Sequence, residues 1–301
     1  MLEVLARAGC FIAIIIAGHL LRRFNFFKEG DFTVLSKITL KITLPAAFIS
    51  NFAGKRIDLS MLSFAFIALG AGILYMVLGY VVNGKKDREA KAFGVLNMPG
   101  YNIGNFTLPF VQSFLGPAGV ITASIFDVGN AFVCLGGAFG VASSIKGTGR
   151  FSIKRVLKAL SRSVAFLTCI TMTILGLLEI AVPGPVVQLA DIIGGANAFM
   201  AMLMLGVGFN FPREKGGVGM IVKMLLTRYG VALILAAIFY CLPLAGEVRT
   251  TLMVLVFSPI SSSVPAFTGE MGGDAGLSAA LNSVSIICSM VFMVSILMVM
   301  L

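Results

Sequence analysis

Apolar runs of about 18 residues or more recur along the whole chain, separated by short polar loops. That is the length an α-helix needs to cross a hydrocarbon core of roughly 30 Å. Inside lipid every backbone amide has to be satisfied within the spanning structure, so such runs are helices or barrel strands. Barrel strands alternate in hydropathy over about ten residues, whereas these runs are continuously apolar, which selects helices. A charged fraction of 12%, about half that of a soluble domain, agrees with an all-α polytopic membrane protein.

Ten spans are expected. The first five lie at about Val4–Leu21, Phe32–Phe52, Ser60–Val82, Ala90–Phe114 (interrupted) and Pro117–Ser143. A basic stretch, KGTGRFSIKRVLK, reads as the loop between two halves, residues 1–150 and 151–301. The second five lie at about Ser161–Ala181, Val186–Phe209, Val218–Leu242, Arg249–Met271 and Ala275–Leu301.

Basic residues are distributed unevenly over the connections. Those after spans 1, 3, 5 and 7 hold Arg22, Arg23, Lys28, Lys85, Lys86, Arg88, Lys91, Lys146, Arg150, Lys154, Arg155, Lys158, Arg213 and Lys215. The alternate connections hold Lys55, Arg56 and little else. By the positive-inside rule the first set faces the cytoplasm, placing both termini outside a multi-pass protein of the cytoplasmic membrane. The same placement accounts for the net charge of +10 without a nucleic-acid partner. Met1, Leu2 and Glu3 supply no basic region of a signal peptide, so the chain is expected to be mature from its first residue.

Five cysteines, Cys10, Cys134, Cys169, Cys241 and Cys288, lie singly inside apolar runs and read as buried packing residues. Phosphate loops, HExxH, Cys pairs and nucleophile elbows are missing, so neither an enzyme nor a cofactor or metal site is expected. Lys223 reads as a snorkelling residue, and Gly136 and Gly140 as a small-residue packing pair.

Two segments resemble one another. LPFVQSFLGPAGVITA around Pro109 aligns with VPAFTGEMGGDAGLSAA around Pro265, with one residue inserted. An odd number of spans per half forces the second copy to insert upside down, giving two inverted five-helix repeats. Spans 4 and 9 are also the interrupted ones. NMPGYNIGNFTLP brings Asn97, Asn102, Asn105 and Gly104 to membrane depth before Pro109; SPISSSVP sets Ser261, Ser262 and Ser263 between Pro259 and Pro265. Proline removes a backbone donor, and freed polar groups survive at depth only against protein or a wet cavity. Paired breaks point to a midplane binding site, the competing view being plain proline kinks.

Other polar groups lie deep. Asp127 and Asn130 share a face of span 5, and a carboxylate there either finds a partner or exchanges a proton or coordinates sodium. Asn282, Ser283 and Ser285 in span 10 either join that site or glue helices together. Lys37 lies close enough to the cytoplasmic end to snorkel, while Lys41 falls near the core centre. For Lys41 three states remain open: an ion pair with Asp127 or Asp191, a neutral lysine, or a cavity charge awaiting an anion.

Over nearly its whole length the chain resembles the auxin efflux carrier family, which includes bacterial organic-acid permeases. LPAAF at Leu44–Phe48 is similar to the family's Leu-Pro-Ala signature. Asn102, Gly104, Pro109 and Gly116 are similar to its pattern in span 4, Asp127, Gly129 and Asn130 to its Asp-x-Gly-Asn, and Pro259 and Gly272–Asp274 to its span 9 region. Ser263 and Thr107 depart from it, standing where many members carry Asn and Gly. The resemblance implies a scaffold of spans 1, 2, 6 and 7, a transport domain of spans 3–5 and 8–10, and a crossover of spans 4 and 9. It also implies a small organic anion as substrate, an elevator-like motion and, often, a homodimer in the lipid bilayer. A sodium-coupled bile-acid-type symporter shares this architecture, and a non-transporting membrane sensor is the alternative from another class.

Overall fold

The computed structural model describes residues 2–28, 30–84, 86–209 and 217–301; Lys85, Arg213 and Lys215 of the charge count lie outside the described residues. These residues are almost entirely helical, with one antiparallel bridge, Tyr101 to Ile260, and no strand.

In chain order α1 is Leu2–Arg23, with Glu3 in its first turn and Arg22 and Arg23 in its last, which suits the helix dipole. α2 (Asp31–Ile38) runs through a π-helical turn at Thr39–Thr43 into α3 (Leu44–Phe52), and α4 is Ser63–Val82. α5 (Arg88–Asn97) starts on the Asp87 carboxylate, which accepts from Ala90 N at 2.9 Å, and stops before a break at residues 98–102. A π-helical turn (Ile103–Thr107) then leads into α6 (Leu108–Phe114), whose Pro109 occupies the first turn, where no backbone donor is needed.

α7 (Pro117–Phe132) and α8 (Ala138–Lys146) join through Val133–Gly137. Gly136 sits there at φ +142°, a conformation that favours glycine, so it makes a kink, while Gly140, as expected of a packing residue, lets Phe151 approach to 2.9 Å of where its Cβ would stand. α9 (Ile153–Leu160) and α10 (Val164–Leu177) meet at 78°. Part of the expected inter-half loop is therefore a helix, started by Ser152, which accepts from Arg155 N, and held by its inward Val156 and Leu160. α11 (Gly184–Gly195), α12 (Asn197–Gly208) and α13 (Val218–Cys241) follow. α14 (Gly246–Val256) and α15 (Val264–Glu270) flank the second break, and α16 (Ala275–Met300) closes the described chain.

Seven continuous helical segments among the described residues are long and apolar enough to cross a membrane, and the bent pair α9–α10 adds an eighth if the two are counted together. α5–α6 and α14–α15 are too interrupted to qualify singly. The outer surface carries Ile12, Ile16, Phe66, Ile73, Leu226 and Ile234, which suits contact with lipid. Cys10 and Cys241 share that surface, so two of the five cysteines are exposed where buried packing is expected.

α1 packs on α12, and α3 on α10 and α11. Separately, α4 packs on α5 and α7, α5 on α8, and α14 on α7, α13 and α16. The two sets meet where α7 touches α3 and α10 and where α12 touches α6. The broken segments lie at this boundary.

Candidate functional site

The two breaks cross. Asn102 N donates to Pro259 O at 2.8 Å beside the Tyr101–Ile260 bridge, and Thr107 Oγ1 donates to Ser258 Oγ at 2.7 Å. Each extended segment thus supplies partners the other lost when its helix broke. Gly100, at φ +82°, makes the turn that α5 needs to enter the crossing.

Amides from neighbouring helices hold the crossing in place. Asn130 on α7 accepts from Tyr101 N and donates to Tyr101 O, each at 2.8 Å, and also donates to Asp127 Oδ1 at 2.8 Å. Asn282 on α16 donates to Ile260 O at 2.7 Å and Ser261 O at 3.2 Å, while Ser285 Oγ accepts from Ile260 N at 3.0 Å. Both asparagines are expected as ion-coupling residues; their amides hydrogen-bond the backbone of the crossing, and Asn130 also lines the cavity beside Asp127. Asn97, expected at the substrate site, has its buried amide bonded to Phe93 O, Thr268 and Ser278 and is not among the residues lining the cavity.

Arg228 on α13 lies beneath the crossing and is 1% exposed. Its guanidinium donates to Met98 O, to Gly100 O at 3.1 Å and to Ser258 O at 3.0 Å. The rings of Tyr75 and Tyr101 lie 5.0 Å from its carbon. α5 and α14 both end here, so their orphan carbonyls and negative dipole ends meet one cation. In sequence Arg228 resembles a residue entering from a helix end, and only its depth in the packing reveals this part. Lys223, one turn earlier, donates to Val82 O at 2.6 Å at the end of α4, a specific contact beyond snorkelling.

A cavity of about 510 Å³ reaches the crossing from the boundary between the two helix sets. Its inner wall is Tyr101–Asn105 with Ser261, Ser262 and Ser263. Asn105 Nδ2 donates to Ser262 Oγ at 3.0 Å, linking the breaks, and Ser261 and Ser263 hydroxyls lie 3.0 Å apart. Asn102 is 2% exposed and its Nδ2 has no hydrogen-bond partner among the described residues; the same holds for Asn105 Oδ1. Asp127 lines the cavity opposite Gly104, where a Cβ would stand 3.8 Å from Asp127 Oδ2. The remaining wall includes Lys37 and Lys41 from α2 and its π-helical turn, and Arg162 ahead of α10. The described ion pairs, Arg7–Glu3, Arg56–Glu179 and Lys146–Glu89, do not include Lys41. Asp191 accepts from Ser50 instead, so the ion pair left open for Lys41 is not formed.

A second cavity of about 370 Å³ shares Phe32, Ser262 and Ala266 with the first and holds Arg22, Lys28, Pro265, Asn282 and Ser283. Residues 9–147, which run from within α1 to the end of α8 and include the first break, match the family model described as membrane transport protein. This match agrees with the resemblance to the auxin efflux carrier family carried by the sequence motifs. No curated protein matches the chain. The apolar helices mark a multi-pass membrane protein, and the first break, Asp127 and Lys41 all fall within the residues matched to the transport family.

Proposed function

We propose that this protein is a secondary active transporter of a small organic anion, bound where the two broken helices cross. The carrying observation is the cavity wall: Lys37, Lys41 and Arg162 against one carboxylate, Asp127, with the unpartnered Asn102 donor at its inner end. A cavity of about 510 Å³ suits a small ligand, and excess positive charge on its wall favours an anion. Arg228 supports this, since it compensates the negative ends of α5 and α14 and leaves the start of the Ile103–Phe114 helix facing the cavity.

Counting each broken pair as one crossing gives ten spans in two inverted five-helix repeats, with both termini outside the cytoplasmic membrane. The packing of α1–α3 with α10–α12, apart from α4–α8 with α13–α16, supports a scaffold and an elevator-like transport domain. The cavity mouth, at Phe32, Thr33, Lys37 and Arg162, adjoins the basic connections, so this state would open to the cytoplasm. Asp127 would then couple flux to protons or sodium.

The test is binding and flux in reconstituted vesicles with a panel of small mono- and dicarboxylates and an indole carboxylate. Asn102→Ala should abolish binding and leave the protein folded and inserted. Unaltered binding and flux in that variant would make the crossing purely structural.

A further inference from the structure

α9 has no part in the cavity, yet it combines three independent features. It meets α10 at 78°, and α10 runs among the membrane-crossing helices, so α9 lies close to the membrane plane. At about 100° per residue, Ile153, Val156, Leu157 and Leu160 fall on one arc of roughly 100°. Only half of that arc is used inside the protein: Val156 and Leu160 are buried, while Ile153 and Leu157 are 52% and 51% exposed. Phe151, just ahead of the helix, is 51% exposed as well.

The flank beside Leu157 is basic. Lys154 and Lys158 are exposed there, Arg150 precedes the helix, and the described ion pairs include none of the three. No acidic residue occurs between Asp127 and Glu179, so this stretch carries no counter-charge of its own. Arg155, on the opposite flank, lies over the Phe139 ring of α8 at 5.5 Å and helps fix the helix against the bundle.

We propose that α9 is a membrane-surface helix that docks on anionic phospholipid, with Phe151, Ile153 and Leu157 entering the acyl boundary and Arg150, Lys154 and Lys158 meeting headgroup phosphates. Exposed apolar side chains beside unpaired lysines, on a helix lying in the membrane plane, match that surface in both charge and polarity. Val156 packs at Gly136, so docking also braces the α7–α8 kink on the helix that carries Asp127.

The chain contains no tryptophan, which makes a single introduced one a clean reporter. Ile153→Trp and Leu157→Trp are made separately and reconstituted in phosphatidylcholine vesicles with and without phosphatidylglycerol. With anionic lipid present, both emissions should be blue-shifted, quenched to similar extents by shallow brominated lipid and protected from acrylamide. Adding Lys154→Gln and Lys158→Gln should weaken docking roughly fivefold per lysine and restore acrylamide quenching. Equal acrylamide quenching in both vesicle types would turn this face toward water and a soluble partner, and overturn the proposal. So would a steep difference in depth between the two positions, or lipid quenching unaffected by loss of both lysines. None of these readouts requires a transport substrate.

Discussion

Arg228→Met removes the cation beneath the crossing while keeping a side chain of similar length. Three carbonyls, of Met98, Gly100 and Ser258, then lose their partner in a region where no water substitutes cheaply. Each orphaned carbonyl costs about 1–3 kcal/mol. The stacking on Tyr75 and Tyr101 goes too, at about 2 kcal/mol when desolvated. Against this, the variant no longer buries a charge, which offsets several kcal/mol. A net loss of about 3–5 kcal/mol results, in line with breaking other buried charged contacts. At about 2–4 °C per kcal/mol the unfolding midpoint falls by on the order of 10 °C. The assay is thermal unfolding of purified protein in detergent, with Arg228→Lys alongside. Lysine keeps the charge but not the planar fork that reaches three carbonyls, so its midpoint should fall between the other two. A midpoint for Arg228→Met within about 2 °C of the parent would refute the view that this residue holds the breaks together.

Three further outcomes are expected. Asp127→Asn should leave ligand binding intact and abolish the dependence of flux on a proton or sodium gradient, measured in vesicles with imposed gradients; retained dependence would make Asp127 structural. Lys41→Met should fold normally, having no ion-pair partner to strand, and should weaken apparent affinity for the transported anion about fivefold, the effect of one partly screened charge. Single cysteines at Thr148 and Gly184, in a background lacking the native five, should label from the cytoplasm and the outside respectively, and the opposite sidedness would overturn the charge-based orientation.

Local chemistry written into the chain determined where helices run and where they break. Uninterrupted apolar stretches leave the backbone no option but helix, and proline with asparagine, glycine and serine at depth marks the breaks at residues 98–102 and 257–263. The amphipathic α9 was legible on the same terms, from Ser152 and the spacing of Val156 and Leu160, although its basic residues make it look like a loop. Tertiary structure alone decided which polar side chains stay available. Asn97, Asn102, Asn105, Asn130 and Asn282 are chemically identical, yet four are engaged by partners well over one hundred residues away or by another element's backbone. Of these five, Asn102 and Asn105 line the cavity with a side-chain atom that has no partner among the described residues. Arg228 shows the same limit. Its three acceptors come from two breaks, 130 and 30 residues away in sequence, and periodicity carries no record of such distant contacts. A hydrogen bond is satisfied by whatever folding brings within about 3 Å, so the division of one residue type into clamps and ligands exists only once the two breaks have crossed.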